Sequence, residues 1–240
     1  MPPVSMDKNS TQIRYCITFV LLGAGMLFAG LKTTSVFVQV PVLWLSADFV
    51  CVAVAYAFQW HGVFGKSTSG RMNLFRAITF GPFLALTWIV WQLGVTLSRR
   101  VGWHEIAPGL FVGRRTSRKG LPVGVNLVID LTAEFPKVAL DNEVEYRCLP
   151  TLDGSVPDSQ RFIELATSVA NHETEGVFIH CANGHGRSVT LMAAVLLYRG
   201  IAKSIDEALS IIREARPAAH PNRSQRGFLE DLFADDGVQT

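Results

Sequence analysis

The first hundred residues contain three long runs that are almost free of charge. Residues 15–31 and 77–98 carry no charged side chain over 17 and 22 positions, and residues 36–60 carry one, Asp48, over 25 positions. A helix that crosses a bilayer needs about 20 predominantly apolar residues. The pattern therefore predicts about three transmembrane helices, at 15–31, 36–60 and 77–98, within a membrane-anchoring region 1–100.

Other interpretations of these runs remain open. Asp48 and Pro41 lie inside the middle run, and a carboxylate at bilayer depth costs roughly 2.5–3.5 kcal/mol on insertion scales, so this segment could be re-entrant or interfacial. A signal peptide would account for the first run only. Buried helices of a soluble domain would need polar positions at helical spacing, and none recur through residues 77–98.

Charge is unevenly distributed along the chain. Residues 1–100 have a net charge of +6 and residues 101–240 a net charge of −4, and an acidic C-terminal half without a basic stripe argues against nucleic acid as a partner. Three spans would place seven Lys and Arg residues on the side of the C-terminal half and five on the other side. This bias predicts an integral membrane protein whose C-terminal domain faces the cytoplasm.

From residue 101 the pattern changes to short apolar runs that alternate with amphipathic segments. Strands are predicted at 110–112, 126–131, 144–149 and 177–179, and helices at 159–172, 188–199, 205–215 and 224–233. Strands separated by helices of this length predict an α/β domain, 101–240, with a mostly parallel central sheet and helices on both faces. About 140 residues suffice for one core, so a fragment starting near Val101 is expected to be complete without the spans.

The segment that follows the last predicted strand carries the chemistry. It reads His180-Cys181-Ala182-Asn183-Gly184-His185-Gly186-Arg187-Ser188. A glycine-containing turn between a buried strand and a helix can direct backbone N–H groups at an anion. The same groups, with the nearby Arg187, favour the thiolate form of Cys181 and make it a nucleophile. The guanidinium of Arg187 can hold two phosphoryl oxygens at once.

This segment resembles the signature of the cysteine-dependent protein tyrosine phosphatase superfamily, which is His-Cys, five residues, Arg, then Ser or Thr. The resemblance is to the compact dual-specificity branch over about residues 103–235, and within it to the mitochondrial phosphatidylglycerophosphate phosphatase type and its bacterial relatives. The segments that carry the closer similarity are Leu110–Arg114, Gly124-Val125, Asp130–Phe135, Leu149–Gly154, Arg216-Pro217 and Pro221-Asn222.

The resemblance implies a role for each site residue. Cys181 would attack phosphorus, Arg187 would bind the phosphoryl oxygens, and Asp153 would protonate the leaving oxygen, with Asp158 as the rival acid. Ser188 would assist release of the thiolate, and His180 would order the loop. The phosphate-binding set is Ala182, Asn183, Gly184, His185, Gly186 and Arg187. The four cysteines lack metal-ligand spacing, and no metal or cofactor is expected.

The sequence therefore predicts a membrane-anchored enzyme that hydrolyses phosphate monoesters through a cysteinyl-phosphate intermediate. At most about 40 Å of extended chain separates Ser98 from the first predicted strand of the domain, which would hold the site close to the bilayer. A phosphorylated lipid is the favoured substrate, and a phosphoprotein at the membrane is the alternative. The sequence leaves the oligomeric state open.

Overall fold

The computed structural model describes residues 10–98, 101–172 and 176–234. Its N-terminal part is a hairpin of two long helices, α1 (Ser10–Lys32) and α2 (Val36–Ala57). The helices are antiparallel: the ring of Tyr15 stacks on that of Tyr56 at the open end, with centroids 4.9 Å apart, and Gln39 donates to the carbonyl of Gly30 near the turn. Both helices are long and apolar enough to cross a membrane.

The third predicted span, 77–98, is not one continuous helix in the structure. The chain forms a short α3 (Leu74–Thr79) and then α4 (Gly81–Leu97), which starts afresh with proline in its first turn. Seventeen residues of α helix reach about 25 Å, less than the roughly 30 Å hydrocarbon core. Asp48 is the reason α4 can begin here, because its buried carboxylate accepts the backbone N–H of Phe83 in the first turn. Within the described residues there are thus two candidate spans, and Arg99-Arg100 lie outside those residues.

The C-terminal part is built on a five-stranded sheet in the order β1-β2-β5-β3-β4. The strands are β1 (Trp103–Ala107), β2 (Leu110–Arg114), β3 (Leu127–Thr132), β4 (Glu145–Thr151) and β5 (Val177–Cys181). Within this sheet, β1, which sequence analysis did not identify, pairs antiparallel with β2. The β2–β5, β5–β3 and β3–β4 pairs are parallel, so the predicted mostly parallel sheet is present with β5 at its centre.

Four helices pack on one face of this sheet: α5 (Ser159–Ala170), α6 (Arg187–Tyr198), α7 (Ile205–Ala215) and α8 (Arg223–Phe233). All four predicted helices of this part are present, and Ser204 caps α7 by accepting the N–H of Glu207. The main core lies between these helices and residues such as Leu127, Ile129 and Ile179. The other face, expected to carry helices, is covered instead by strand residues and connecting segments around Phe111, Val128 and Phe178.

The N-terminal helices are packed against the sheet domain by a second apolar cluster. Phe49, Tyr56 and Phe64 of the N-terminal region pack together with Ala133 and Leu152 of the domain. Through this cluster the N-terminal region contacts the segments that follow β3 and β4. These segments lie at the carboxyl edge of the sheet, where parallel sheets bind their ligands.

A buried ion pair reinforces this junction. The ammonium group of Lys66, in the segment between α2 and α3, lies 2.8 Å from the carboxylate of Asp130 on β3 and also donates to the backbone and hydroxyl oxygens of Thr132. Both side chains of the ion pair are almost fully buried. Asp130 accepts further hydrogen bonds from Thr132 and from the hydroxyl of Tyr146.

This ion pair changes the expectation for a fragment starting near Val101. Such a fragment would retain the sheet and the loop 180–188, but it would lose the cation that neutralises Asp130. A buried carboxylate without its partner is strongly destabilising. The structure therefore indicates that the sheet domain depends on the segment between α2 and α3.

Replacement of Lys66 by methionine tests this dependence. Because Lys66→Met keeps most of the side-chain volume but leaves Asp130 buried without a cation, we expect the free energy of unfolding to fall by about 3–5 kcal/mol. Thermal or denaturant unfolding of the full chain in one detergent measures the change. Lys119→Met, at an exposed lysine, is the matched control, and an equal effect of the two substitutions would contradict the role of the ion pair.

Candidate active site

The loop that follows β5 wraps around the sulfur of Cys181. Cys181 is the last residue of β5, and α6 begins at Arg187 after the cap residue Gly186. The backbone N–H of Gly184 donates to Sγ of Cys181 over 3.2 Å, and the hydroxyl of Ser188 lies 3.4 Å from the same sulfur. The sulfur therefore sits at the N-terminus of a helix, beside one backbone donor and one hydroxyl group, an environment that suits an anion.

Gly184 is required by both conformation and space. Its φ is +73°, and a Cβ there would lie 2.3 Å from the backbone carbon of Gly113 on β2. The outer side of the loop is held by Arg216, whose Nε and Nη2 donate to the carbonyls of Gly184 and Asn183. With these carbonyls turned toward Arg216, the loop can present N–H groups on its other side.

Arg187 is buried and is held by two carboxylates. Its Nη1 and Nη2 donate to the two oxygens of Glu134 over 3.0 and 2.7 Å, and Nη2 lies 3.0 Å from Asp153. Burial opposes the charged guanidinium, yet Glu134 and Asp153 raise the pKa of Arg187 well above its usual value. Its Nε is buried without an acceptor among the described residues.

Asp153 lies in the loop after β4 with its side chain about half exposed. The N-terminal helices hold this loop: the hydroxyl of Tyr56 donates to the carbonyl of Asp153 over 2.9 Å, and the ring of Tyr15 fills the space next to Gly154, where a Cβ would lie 2.5 Å from it. Asp158, the rival acid, instead caps α5 by accepting the N–H of Arg161. The geometry thus brings Asp153, and not Asp158, to Arg187.

His180 lies under the loop and does not face the entrance. It is fully buried, stacks on Phe178, and has Nδ1 4.0 Å from the carboxylate of Asp130. Burial lowers the pKa of His180, so the imidazole is neutral near pH 7. For Asp130, burial favours the neutral acid, but the charge of Lys66 and the hydrogen bonds from Lys66 and the backbone of Thr132 hold its pKa below the usual range. The ion pair of the fold therefore lies directly beneath the loop.

The remaining loop residues face the surrounding helices. The carbonyl of Ala182 accepts the indole N–H of Trp91 on α4 over 2.9 Å, and the ring of His185 stacks on His220. Gly186 lies against Gln225, whose side chain a Cβ would meet at 2.7 Å. In the described ranges, no three His, Cys, Asp or Glu side chains converge as metal ligands do.

A cavity of about 590 Å³ opens beside the loop. Its end at the site is lined by Glu134, Asp153, Ala182 and Asn183. The rest of its wall is mostly apolar and comes from α1, α2 and α4, with Phe64, Phe135 and Leu152 from the connecting segments. The site is thus enclosed by the sheet domain on one side and the N-terminal helices on the other.

Comparison with known proteins agrees with this geometry. The profile described as "Dual specificity phosphatase, catalytic domain" matches residues 117–233. Dual specificity protein phosphatase 22 of Xenopus tropicalis is 30% identical over 146 residues, which cover 58% of this chain and 68% of that protein. The chain belongs to the dual-specificity phosphatase family. Its C-terminal part is thus the catalytic domain of a cysteine-based phosphatase.

Other members of the family match a shorter share of their length. Dual specificity protein phosphatase 1-B of Xenopus laevis is 31% identical over 143 residues, which cover 57% of this chain but only 38% of that protein. The crystal structure of human tyrosine phosphatase-like serine/threonine/tyrosine-interacting protein aligns with a TM-score of 0.50 and 24% identity over 57% of this chain and 99% of that one. That structural similarity supports the dual-specificity phosphatase fold.

Several side chains that shape the site were not assigned a role from the sequence. Glu134 and Arg216 lie in the segments that carry the family resemblance. No rule of sequence spacing predicts that Glu134 contacts Arg187 or that Arg216 contacts the carbonyls of the loop. Tyr56 and Trp91 lie in apolar runs that were interpreted as membrane spans. Their polar tips contact the phosphatase domain over 97 and 91 positions of sequence, a distance that no local pattern can bridge.

The role of Glu134 in orienting Arg187 leads to a test with inorganic phosphate. Because a hydrogen bond to a charged group contributes about 1.5–3 kcal/mol, Glu134→Gln should raise the inhibition constant of phosphate by about tenfold or more. Competition against an aryl phosphate measures this constant. Glu143→Gln, at an exposed glutamate, is the matched control. A constant within about twofold of wild type in both variants would exclude Glu134 from this role.

Proposed function

We propose that this chain is a membrane-anchored cysteine phosphatase that hydrolyses phosphate monoesters of lipids. The observation that carries the lipid assignment is that apolar N-terminal helices cover the entrance of the active site. Trp91 of α4 donates to the loop at Ala182, and Tyr56 of α2 donates to the loop at Asp153. A substrate bound at Cys181 would therefore lie beside these helices.

The surface of the N-terminal helices supports a membrane location. Phe28, Phe37 and Leu21 on the hairpin are 67%, 93% and 66% exposed, and Leu74 and Phe75 of α3 are similarly exposed. Exposed apolar surface of this extent is unfavourable in water and is typical of interaction with lipid or protein. We propose that residues 1–100 anchor the chain, that the hairpin crosses the bilayer, and that α3 and α4 lie near its surface.

The hairpin also supports a cytoplasmic catalytic domain. Two spans, in place of three, put the start of α1 and the catalytic domain 101–240 on the same side of the membrane. Arg14, Arg71 and Arg76 lie toward the open end of the hairpin, whereas Lys32 is the one charged residue near its turn. By the positive-inside rule, the open end and the catalytic domain face the cytoplasm.

The first chemical step transfers the phosphoryl group to Cys181. The thiolate attacks phosphorus, the P–S bond forms, and the P–O bond to the alcohol breaks. Asp153 gives its proton to the departing oxygen. Arg187 holds the phosphoryl oxygens through Nε and Nη2, and the phosphoryl group displaces Asp153 from Nη2 toward the leaving oxygen. The N–H groups of the loop that contains Ala182, Asn183, Gly184, His185 and Gly186 stabilise the charge that develops on the oxygens.

The second step hydrolyses the cysteinyl phosphate. A water molecule attacks phosphorus, Asp153 now accepts a proton from it, and the P–S bond breaks to release inorganic phosphate. Ser188 stabilises the departing thiolate through its hydroxyl, 3.4 Å from Sγ. His180, neutral and buried, supports the loop from below and takes no proton in either step.

Replacement of Asp153 tests its role as the acid. Asp153→Asn should lower kcat/KM for an alkyl phosphate by about 10²–10⁴, and should lower it much less for an aryl phosphate, whose leaving group needs no proton. The kinetic constant kcat/KM reports the first step and excludes the second. Asp158→Asn is the matched control, in which any change in kcat/KM should be the same for both esters. Equal losses on both esters in Asp153→Asn would assign the acid role elsewhere.

The choice between lipid and protein substrates is tested with the full chain in phosphatidylcholine vesicles. We expect phosphate release from phosphatidic acid and related lipid monoesters to exceed that from phosphotyrosine and phosphoserine peptides by about tenfold or more in kcat/KM. Cys181→Ser should remove turnover by at least about a thousandfold, whereas Cys51→Ser, an exposed cysteine on α2, should retain it. Faster hydrolysis of the peptides would identify a protein phosphatase, the substrate class in the names of the matched relatives.

A further inference from the structure

The cavity beside the catalytic loop is polar at one end only. At that end lie Glu134, Asp153 and Asn183, next to Cys181 and Arg187. Away from the loop the wall is aromatic and aliphatic, with Phe19, Phe49, Phe83 and Leu86 among its residues. A ligand that binds in the loop through an anionic group and extends into this space must therefore be apolar over the rest of its length.

The dimensions of the cavity suit an extended chain. Its lining residues on α4 run from Phe83 to Gly94, about 16 Å along the helix at 1.5 Å per residue. Its volume of about 590 Å³ falls within the range of about 300–1,000 Å³ that small-molecule sites occupy. The space is thus long as well as large, and it begins beside Ala182 and Asn183 of the loop.

The geometry points to a hydrocarbon-chain site: the cavity between α1, α2 and α4 holds an acyl or alkyl chain of the substrate while its phosphate occupies the loop 181–187. This inference rests on the proposed function and adds to it that the chain of the lipid is bound by the protein, inside the N-terminal helices, and not left in the bilayer. The anchor is then part of the substrate-binding site.

The aromatic side chains explain how the cavity stays open at the site. Phe19, Phe49 and Phe83 contact one another edge-on or stacked, with centroids 5.8–5.9 Å apart, and Tyr15 and Tyr56 stack at the end near Asp153. Rigid rings that pack on one another leave a fixed space between the helices. An alcohol that leaves phosphorus would therefore emerge into a mostly apolar cavity.

Two positions on α4 can close the cavity. Gly94 lines it, and a Cβ at Gly94 would meet no atom within 4 Å, so a larger side chain there enters open space. Thr87, two turns earlier, lines it as well. Gly25 on α1 is a matched control, because a Cβ there also meets nothing within 4 Å and Gly25 does not line the cavity.

The test uses the full chain in one detergent with methyl, octyl and hexadecyl phosphate. For each ester, the ratio of kcat/KM between variant and wild type cancels the partitioning of the ester into micelles. A leucine displaces about three methylenes of a bound chain, and each methylene contributes about fourfold, or about 0.8 kcal/mol. Gly94→Leu and Thr87→Trp should therefore lose at least about tenfold more on hexadecyl than on methyl phosphate. Gly25→Leu should show the same ratio for all three esters.

The outcomes separate this inference from the proposed function. Equal losses on the three esters, or none, in both α4 variants would overturn the chain site while leaving lipid hydrolysis by wild type intact. Failure of wild type to hydrolyse any long-chain phosphate would overturn both.

A second measurement does not depend on the folding of the α4 variants. In Cys181→Ser, an alkyl phosphate with a mid-chain diazirine should label α1, α2 or α4 within the cavity, and labelling confined to the outer faces of the hairpin would contradict the chain site.

Discussion

The buried charge of Asp130 is the constraint that joins the two parts of this chain. A carboxylate inside a parallel sheet is unfavourable unless it is paired and hydrogen-bonded, and the pairing cation, Lys66, is supplied by the segment between α2 and α3. That segment can reach Asp130 only if α2 ends at the carboxyl edge of the sheet. The position of the helical hairpin over the active site follows from this requirement.

The same network extends to Cys181. Asp130 lies 4.0 Å from His180, and His180 precedes Cys181 at the end of β5. On the other side of the loop, Arg216 occupies two of its carbonyls. The loop is therefore supported from below and from outside, so that its N–H groups are oriented before a substrate binds. Such preorganisation is what makes backbone dipoles effective in stabilising developing charge.

The active site combines strong charges with apolar surroundings. Arg187 is buried, but Glu134 satisfies both of its Nη groups and leaves Nε for a ligand. Beyond Glu134, the wall of the adjacent cavity is mostly aromatic and aliphatic. This separation, with charge confined to the loop and apolar surface beyond it, matches a molecule whose phosphate and hydrocarbon parts are joined by one ester bond.

Local patterns in the sequence predicted most elements of the catalytic domain. The apolar runs at 126–131 and 177–179 and the cap formed by Ser204 depend on neighbouring residues, and the strands and helices appear where these patterns placed them. The spacing of Cys181 and Arg187 predicted the loop between β5 and α6 because it, too, depends on neighbouring residues: strand, turn and helix are consecutive in the chain. Strand β1 was missed because it is short and only partly buried.

The tertiary structure decided where the apolar N-terminal segments lie, which their hydropathy could not predict. The run at 77–98 satisfies the composition of a span, but Asp48 caps a new helix inside it, and Trp91 and Tyr56 turn their polar tips toward the phosphatase loops. Hydropathy measures how apolar a segment is, and an apolar side chain packs equally well against lipid or against protein. The sequence by itself determined the reactive loop and the elements around it, whereas the placement of the N-terminal helices over that loop arises from contacts between residues about 60 to 100 positions apart.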